Sequence, residues 1–376
     1  MSPSLRNNPQ RPRGLRPTSW PNTGLMTGAV SAVFLTFTSP LQAQTERQTL
    51  SGERVALYNL AGEVRIERGR GRGRTVEFEI TRRGADARRL RIETGTVRGI
   101  PTLRVIYPDD DIVYSPASER NRGATDSRIN DDGTWGGDNG WRGGRRVRIR
   151  SRGDGMEAWA DIRVLVPDGQ KFNAHLLVGE LKAIDVDATL SLDAASARIT
   201  AEQVRGNLDI DTGSGGIVVR DARVSTLRLD TGSGGVTLDG VTAEDCSIET
   251  GSGGVSGSAA NCQRLDIDVG SGGVRLEDAT AETITVDAGS GSVSLGLRRS
   301  PRSAAIESGS GGVTLNLPAD FSATVDIETG SGGISSDFEI RTSRFARREI
   351  HGTIGDGRGR LRVESGSGSV RLRRAP

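Results

Sequence analysis

Two stretches, Asp211-Thr212-Gly213-Ser214 and Asp230-Thr231-Gly232-Ser233, reproduce the string that surrounds the catalytic carboxylate of aspartic proteases, including the apolar residues before it. That chemistry needs two carboxylates converging within ~3 Å so that they share one proton. Here the acid recurs instead: Asp211, Asp230, Glu249, Asp268, Asp287, Glu307, Glu328 and Glu364 each stand two residues before a Gly-Ser-Gly turn. A residue repeated once per structural unit forms a file and does not converge, so the protease reading falls. Nor is Gly-Ser-Gly-Gly a phosphate loop, because no Lys follows and no helix begins. A Ser–His–Asp triad would have to use His175 or His351, which lie at opposite ends of the repeats, and Lys171 and Lys182 are the only lysines. No catalytic or cofactor-binding residue is expected.

The eight carboxylates remain the most prominent polar feature, with Asp209, Asp266 and Asp326 expected on the same face. Unit charges ~4.8 Å apart repel by only about 1 kcal/mol in water, so a solvated acidic stripe is tolerable. The alternative is a divalent-cation ladder: Ca²⁺ takes 6–8 oxygens, and neighbouring rungs would offer carboxylates and turn carbonyls. Against it, the nine-residue Gly-Gly-x-Gly-x-Asp calcium repeat is absent. Trp135 and Trp141 fall in a polar stretch where exposed indoles could stack on sugar rings or on a partner surface; the alternative is that they fold back onto the cap sheet. Arg152-Gly153-Asp154 copies an integrin-binding tripeptide, which three residues do by chance. Cys246 is expected inside and Cys262 in a return loop; a disulfide is open to them, and buried free thiols are the favoured expectation. The 50 basic and 48 acidic side chains leave a formal charge of +2, which gives no bulk field for nucleic acid.

The elements that must carry this file are repeats. LDIDTGSGGIVV from Leu208, LRLDTGSGGVTL from Leu227 and LDIDVGSGGVRL from Leu265 are three of eight copies. Their first glycines, Gly213, Gly232, Gly251, Gly270, Gly289, Gly309, Gly330 and Gly366, are spaced by 19, 19, 19, 19, 20, 21 and 36 residues. A period near 19 signals a solenoid. Two degenerate copies, Phe172 to Leu181 and Leu190 to Ile199, extend it backwards. Within a copy apolar residues alternate with polar ones on both sides of the glycines, which predicts two strands, each with one buried face. Stacked in parallel, they form an all-β, two-sided parallel β-solenoid of about ten coils. Ile210, Leu229, Ile248, Ile267, Val286, Ile306, Ile327 and Val363 form one internal column, and Ile217, Val236, Val255, Val274, Val293, Val313, Ile334 and Val370 form the facing one. The corner glycines are expected to supply positive φ. With 52 glycines against Phe 7, Trp 4 and Tyr 3, the core must be narrow and aliphatic.

The flanks read differently. Arg11, Arg13 and Arg16 precede an apolar run from Ala29 to Phe37, and Leu41-Gln42-Ala43 offers a cleavage point, so 1–43 reads as a signal peptide, with a retained anchor as its rival. The run is shorter than the ~20 residues that span a bilayer, and no second candidate follows. Residues 44–169 read as an antiparallel β cap over the first coil, with a flexible loop at 108–144. The solenoid domain is 170–376, with a capping excursion at 337–360, and Arg371, Arg373 and Arg374 read as charged blockers of the last edge.

The strand Glu63–Glu67 after Ala61-Gly62, the strand ending Leu165-Val166-Pro167-Asp168-Gly169 and the strand–Thr-Gly-Ser-Gly-Gly–strand copies together resemble the bacterial adhesin-like family of β-strand repeats, domain of unknown function 4097, over roughly residues 50 to 374. The resemblance implies a β-solenoid of exported or envelope-associated proteins, with no general catalytic site. The expected function is a noncatalytic, extracytoplasmic adhesin-like or structural cell-envelope module. Its partners would be envelope glycans or proteins and not nucleic acid, and it would have no transmembrane anchor once the signal is removed. The alternatives are a carbohydrate-active enzyme on a β-helix scaffold, and a scaffold protein that polymerises end to end.

Overall fold

The computed structural model describes residues 45–70, 73–116, 123–136 and 144–375. They are all-β, dominated by one large, mostly parallel stack. The proposed signal segment 1–43 and Trp141 lie outside the described residues. Among the described residues no helix is long and apolar enough to cross a membrane.

From Arg205 onward each coil is two strands around a glycine corner, beginning with Arg205–Thr212 and Ile217–Arg220. Parallel register sets Ile210 beside Leu229 and Leu229 beside Ile248 on one wall, and Ile217 beside Val236 on the other. All of these are buried, as the alternation requires. Each such side chain contributes roughly 1.5–3 kcal/mol.

The corner glycines serve a purpose other than the expected one. None of the repeat Gly-Ser-Gly-Gly glycines has positive φ. What they provide is closeness: a Cβ on Gly234 would lie 1.8 Å from the carbonyl oxygen of Gly215, and one on Gly253 would lie 1.8 Å from that of Gly234. The last corner position is looser, with 3.5 Å at Gly235, and there the sequence itself admits Ser292 and Ser369. Left-handed residues sit at the opposite corner, where Asp185, Gln203, Asp221, Gly240, Ala259 and Asp278 succeed one another coil by coil. Their N–H groups bond to the next coil, as in Asp221 N to Asp239 O at 2.9 Å.

The stack begins before residue 170. Arg54–Arg68 is itself a coil, paired in parallel along its length with Lys171–Ile184, and the expected strand Glu63–Glu67 is the second half of this one continuous strand. Thr45–Ser51, Thr75–Arg83 and Trp159–Val166 form the antiparallel part of the cap, and Arg91–Val97 with Ile100–Ile106 adds a hairpin. The expected loop at 108–144 contains strands Asp111–Val113 and Ala124–Ile129, which join Arg145–Arg150 and Met156–Glu157 in a second, four-stranded sheet. Ala124–Ile129 is polar up to its last residue and gave no hydrophobic signal; ion pairs such as Arg148–Asp126 (2.8 Å) tie its outer face to Arg145–Arg150. Thr125 of this sheet meets Ser196 at the corner of the third coil, Oγ1 to Oγ 3.1 Å.

The far end departs from sequential stacking. Gly359–Ser365 lies between Ser303–Ser308 and Ala323–Thr329, parallel to both. The chain therefore leaves one slot empty, builds the outer coil, turns through the hairpin Arg341–Ala346 and Glu349–Ile354, and returns to fill the slot. Arg371, Arg373 and Arg374 thus lie on a strand flanked by Val313–Leu317 and Ile334–Ser336 and do not block the final edge. The antiparallel strand Glu349–Ile354 covers Ala323–Thr329 instead.

Candidate functional site

Outward side chains on the first strand of each coil stack because the register is parallel. In space the file runs Tyr58, His175, Asp193, Asp211, Asp230, Glu249, Asp268, Asp287, Glu307, Glu364, Glu328, Glu349. All eight carboxylates singled out in the sequence stand in it, with Glu364 moved between Glu307 and Glu328 by the late insertion. Asp193 and Glu349 lengthen it. Asp193 was legible from its 18-residue offset to Asp211, whereas Glu349 enters through an antiparallel hairpin that no repeat pattern announces.

A second column beside it holds Asp209, Arg228, Ser247, Asp266, Thr285, Ala305, Arg362 and Asp326. Partial burial pushes the Asp209 carboxyl up, against Arg228 and with Asp230. Asp211 is raised first by burial and then by the like charges of Asp193, Asp230 and Asp209. Both residues remain exposed, so the desolvation is crowding between rungs and not enclosure.

The Thr between the acid and the first corner glycine points inward. Thr212, Thr231 and Thr250 are buried, and each accepts the N–H of the glycine three residues on, at 3.2, 3.0 and 3.0 Å. Thr231 Oγ1 lies 3.2 Å from Gly215 O and Thr250 Oγ1 3.3 Å from Gly234 O, the carbonyls of the preceding coil to which they donate. The protease-like string is thus a corner clamp: the acid faces water, the hydroxyl ties the turn and the glycines admit the neighbouring backbone.

At the N-terminal end of the file the Tyr58 and His175 rings stack at 4.1 Å, and His175 Nδ1 lies 2.9 Å from Asp193 Oδ2. Of its two readings Trp135 takes the second: it folds back and is not an exposed indole. It is 8% exposed and meets the Tyr58 ring edge-on at 5.0 Å. Beside them a cleft of about 270 Å³ is lined by Tyr58, Arg98, Trp135, His175 and Asp193. Burial pushes the Tyr58 phenol up, which keeps it a hydrogen-bond donor.

Two further features flank the coils. Cys246 and Cys262 form a disulfide, Cα to Cα 6.2 Å, contrary to the free-thiol expectation. Cys262 lies in the strand Asn261–Val269 and not in a return loop, so its side chain is buried one coil from Cys246. A broad groove of about 960 Å³ runs across the return side, with Arg298, Arg302 and Arg358 along it and Glu244, Gln263 and Glu282 among its lining. Arg152-Gly153-Asp154 occupies an exposed turn. His175 and His351 stand at opposite ends of the same face, so no triad can assemble from them.

No curated protein matches this chain. Among solved structures, the crystal structure of a putative cell adhesion protein from Clostridium sporogenes is similar at 9% identity. The match covers 88% of this chain and 100% of that one with a TM-score of 0.17, a likeness too slight to bear on fold or function. The family described as Toastrack DUF4097 matches residues 160–373, more than half of the chain, and the register of stacked coils described above falls largely within that span. This chain belongs to the Toastrack DUF4097 family.

Proposed function

We propose that the chain is an exported, noncatalytic adhesin-like or structural module of the cell envelope, and that it engages its partner through the carboxylate file. One observation carries this reading: like groups recur once per coil on an open face, from Asp193 to Glu349, instead of converging on a point. Weak contacts repeated at one spacing sum by multivalency, so a partner with its own repeat, such as an envelope glycan or a fibrous protein, gains affinity with each rung engaged. Catalysis, in contrast, concentrates acid, base and binding groups within hydrogen-bond reach of one reacting atom.

The test pairs location with binding. In intact cells the mature chain should be cut by added protease or labelled by an impermeant amine or carboxylate reagent. Purified chain should adhere to envelope preparations from the same cells, and adhesion should fall stepwise as Asp230, Glu249, Asp268 and Asp287 are changed to Asn or Gln. Cytoplasmic fractionation, or adhesion indifferent to all four changes, would sink the proposal. Release of reducing ends from envelope polysaccharide would instead support the enzyme alternative, with the arginine-lined groove as its site.

A further inference from the structure

The far end of the same face holds a group unlike the rest of the file. Ala323–Thr329 and Glu349–Ile354 run antiparallel, with Asp326 opposite His351 and Glu328 opposite Glu349. Residues two apart on a strand share a face, so these four side chains form a square on one surface. Ligand atoms of Asp326, Glu328 and His351 all lie within 4.8 Å of one another. His351 Nε2 is 2.5 Å from Glu349 Oε1, and its Nδ1 is 2.9 Å from Asp326 Oδ1.

Left to themselves these groups are badly matched. Glu328 faces Glu349 directly across the strands and has Glu364 on its other side, and like charges directly opposite are destabilising. Arg344 answers Glu349 at 3.2 Å, and Arg362, which stands beside Asp326 in register, gives its hydrogen bonds to Glu364, so Asp326 and Glu328 share the imidazole. Asp326 Oδ1 is cut off from solvent and forms no hydrogen bond, although it approaches Nδ1 closely. The Asp326 side chain is otherwise partly exposed, so this shielded oxygen and the ring nitrogen stand in ion-pair contact, close enough together to serve as two ligands of one ion.

From this geometry we infer that Asp326, Glu328 and His351 bind a first-row divalent cation of the Zn²⁺ type, with Glu349 or water completing the shell. The imidazole decides the class. Nitrogen with carboxylate suits Zn²⁺ and its neighbours, whereas Ca²⁺ takes an all-oxygen shell of 6–8 ligands. Because the ligands come from the outermost coil and from the hairpin that covers it, the ion would fasten the terminal hairpin to the stack. The inference stands apart from the adhesive reading, since the ion could be present whatever the file engages.

The experiment uses the mature chain without a polyhistidine tag, freed of metal by chelator and titrated with ZnCl₂ by calorimetry, with thermal unfolding followed in parallel. One Zn²⁺ per chain and a Tm that rises with zinc are expected, together with slowed amide exchange confined to residues 323–329 and 341–354. His351→Gln should weaken binding by more than about 100-fold, beyond the roughly 10–100-fold that loss of a supporting group costs. His175→Gln, which removes the other histidine, should leave it unchanged. CaCl₂ should neither bind at this stoichiometry nor slow exchange there. If His351→Gln fails to fold, Asp326→Asn and the visible absorption of the Co²⁺-loaded wild-type chain, which reports nitrogen and oxygen ligation directly, replace it. Absence of zinc heat and of a Tm shift, equal affinity in His351→Gln, or loss in His175→Gln instead would each overturn the inference.

Discussion

The N-terminal strands and the carboxylate file of the glycine-cornered coils handle charge in opposite ways. In the cap, guanidinium meets carboxylate across strands: Arg163 reaches Glu67 at 2.7 Å and Glu79 at 3.1 Å, and Arg47 adds a second partner for Glu79 at 2.9 Å. In the coils, Asp211 lies beside Asp230 and Asp230 beside Glu249. The cause is repetition. Strands of unrelated sequence can bring opposite charges together, in parallel as between Arg163 and Glu67 or antiparallel as between Arg163 and Glu79, whereas near-identical repeats stacked in parallel set each acid of the file against its own copy. Such stacking suits Ile, Val and Thr, whose copies pack or bond together, and penalises Asp and Glu, which persist only because water screens them.

The comparison is broken most severely through the backbone. Gly253→Ala should cost more than about 3 kcal/mol, since overpacking at a site that cannot yield lies at the severe end of single substitutions. Gly235→Ser, at the looser position, should stay within about 0.5 kcal/mol. Denaturant melts of the two variants decide whether close approach of the coils, and not backbone conformation, selects glycine. Next comes the staple that the coils have and the cap lacks among the described residues. Breaking Cys246–Cys262 by Cys262→Ser should lose about 3 kcal/mol, the value for a loop of this length, here a separation of 16 residues. The same melt under reducing conditions should reproduce it in the wild-type chain.

Charge removal tests the contrast by sign. Asp230→Asn should stabilise the chain by up to about 1 kcal/mol by relieving its two like neighbours. Glu79→Gln should destabilise it by about 0.2–1 kcal/mol, the range of exposed ion pairs. Equal signs in the two melts would mean that the file is not electrostatically strained.

The smallest effect is in acid. Hydrogen bonds from Arg148, then Arg146, against some burial, hold the Asp126 carboxyl at about 2, below its ordinary 3.8. That contribution is present above pH 3.8 and is lost as pH falls through about 2. Asp209 and Asp211 are shifted upward, so their contribution is complete below 3.8 and is lost as pH rises through their elevated values. Amide exchange on a pH series from neutral downward should show strand Arg205–Thr212 gaining protection before strand Ala124–Ile129 loses it. Parallel loss in both strands would refute the assignment.

Much of this was legible beforehand because alternation sets which side of a strand faces inward. The columns through Ile210 and Ile217 and the eight carboxylates of the file needed only the repeat and a period of two. What escaped were matters of partnership. Gly366 sits between Gly309 and Gly330, an order invisible in copies that would each fit any slot. The inward Thr of Asp-Thr-Gly was noticed for the wrong chemistry. Trp135 lay in a polar stretch whose cover, Tyr58 and His175, comes from distant coils.

By itself, then, the amino-acid sequence determined the repeating coil, its aliphatic interior and an acid on every rung, because each depends on local spacing that a parallel stack merely copies. Only the tertiary structure decided which coil stands next to which, where the first coil begins, that the two cysteines join, and that His351 meets Asp326 and Glu328. Those depend on contacts between segments far apart in the chain, and no periodicity encodes the choice among equivalent neighbours.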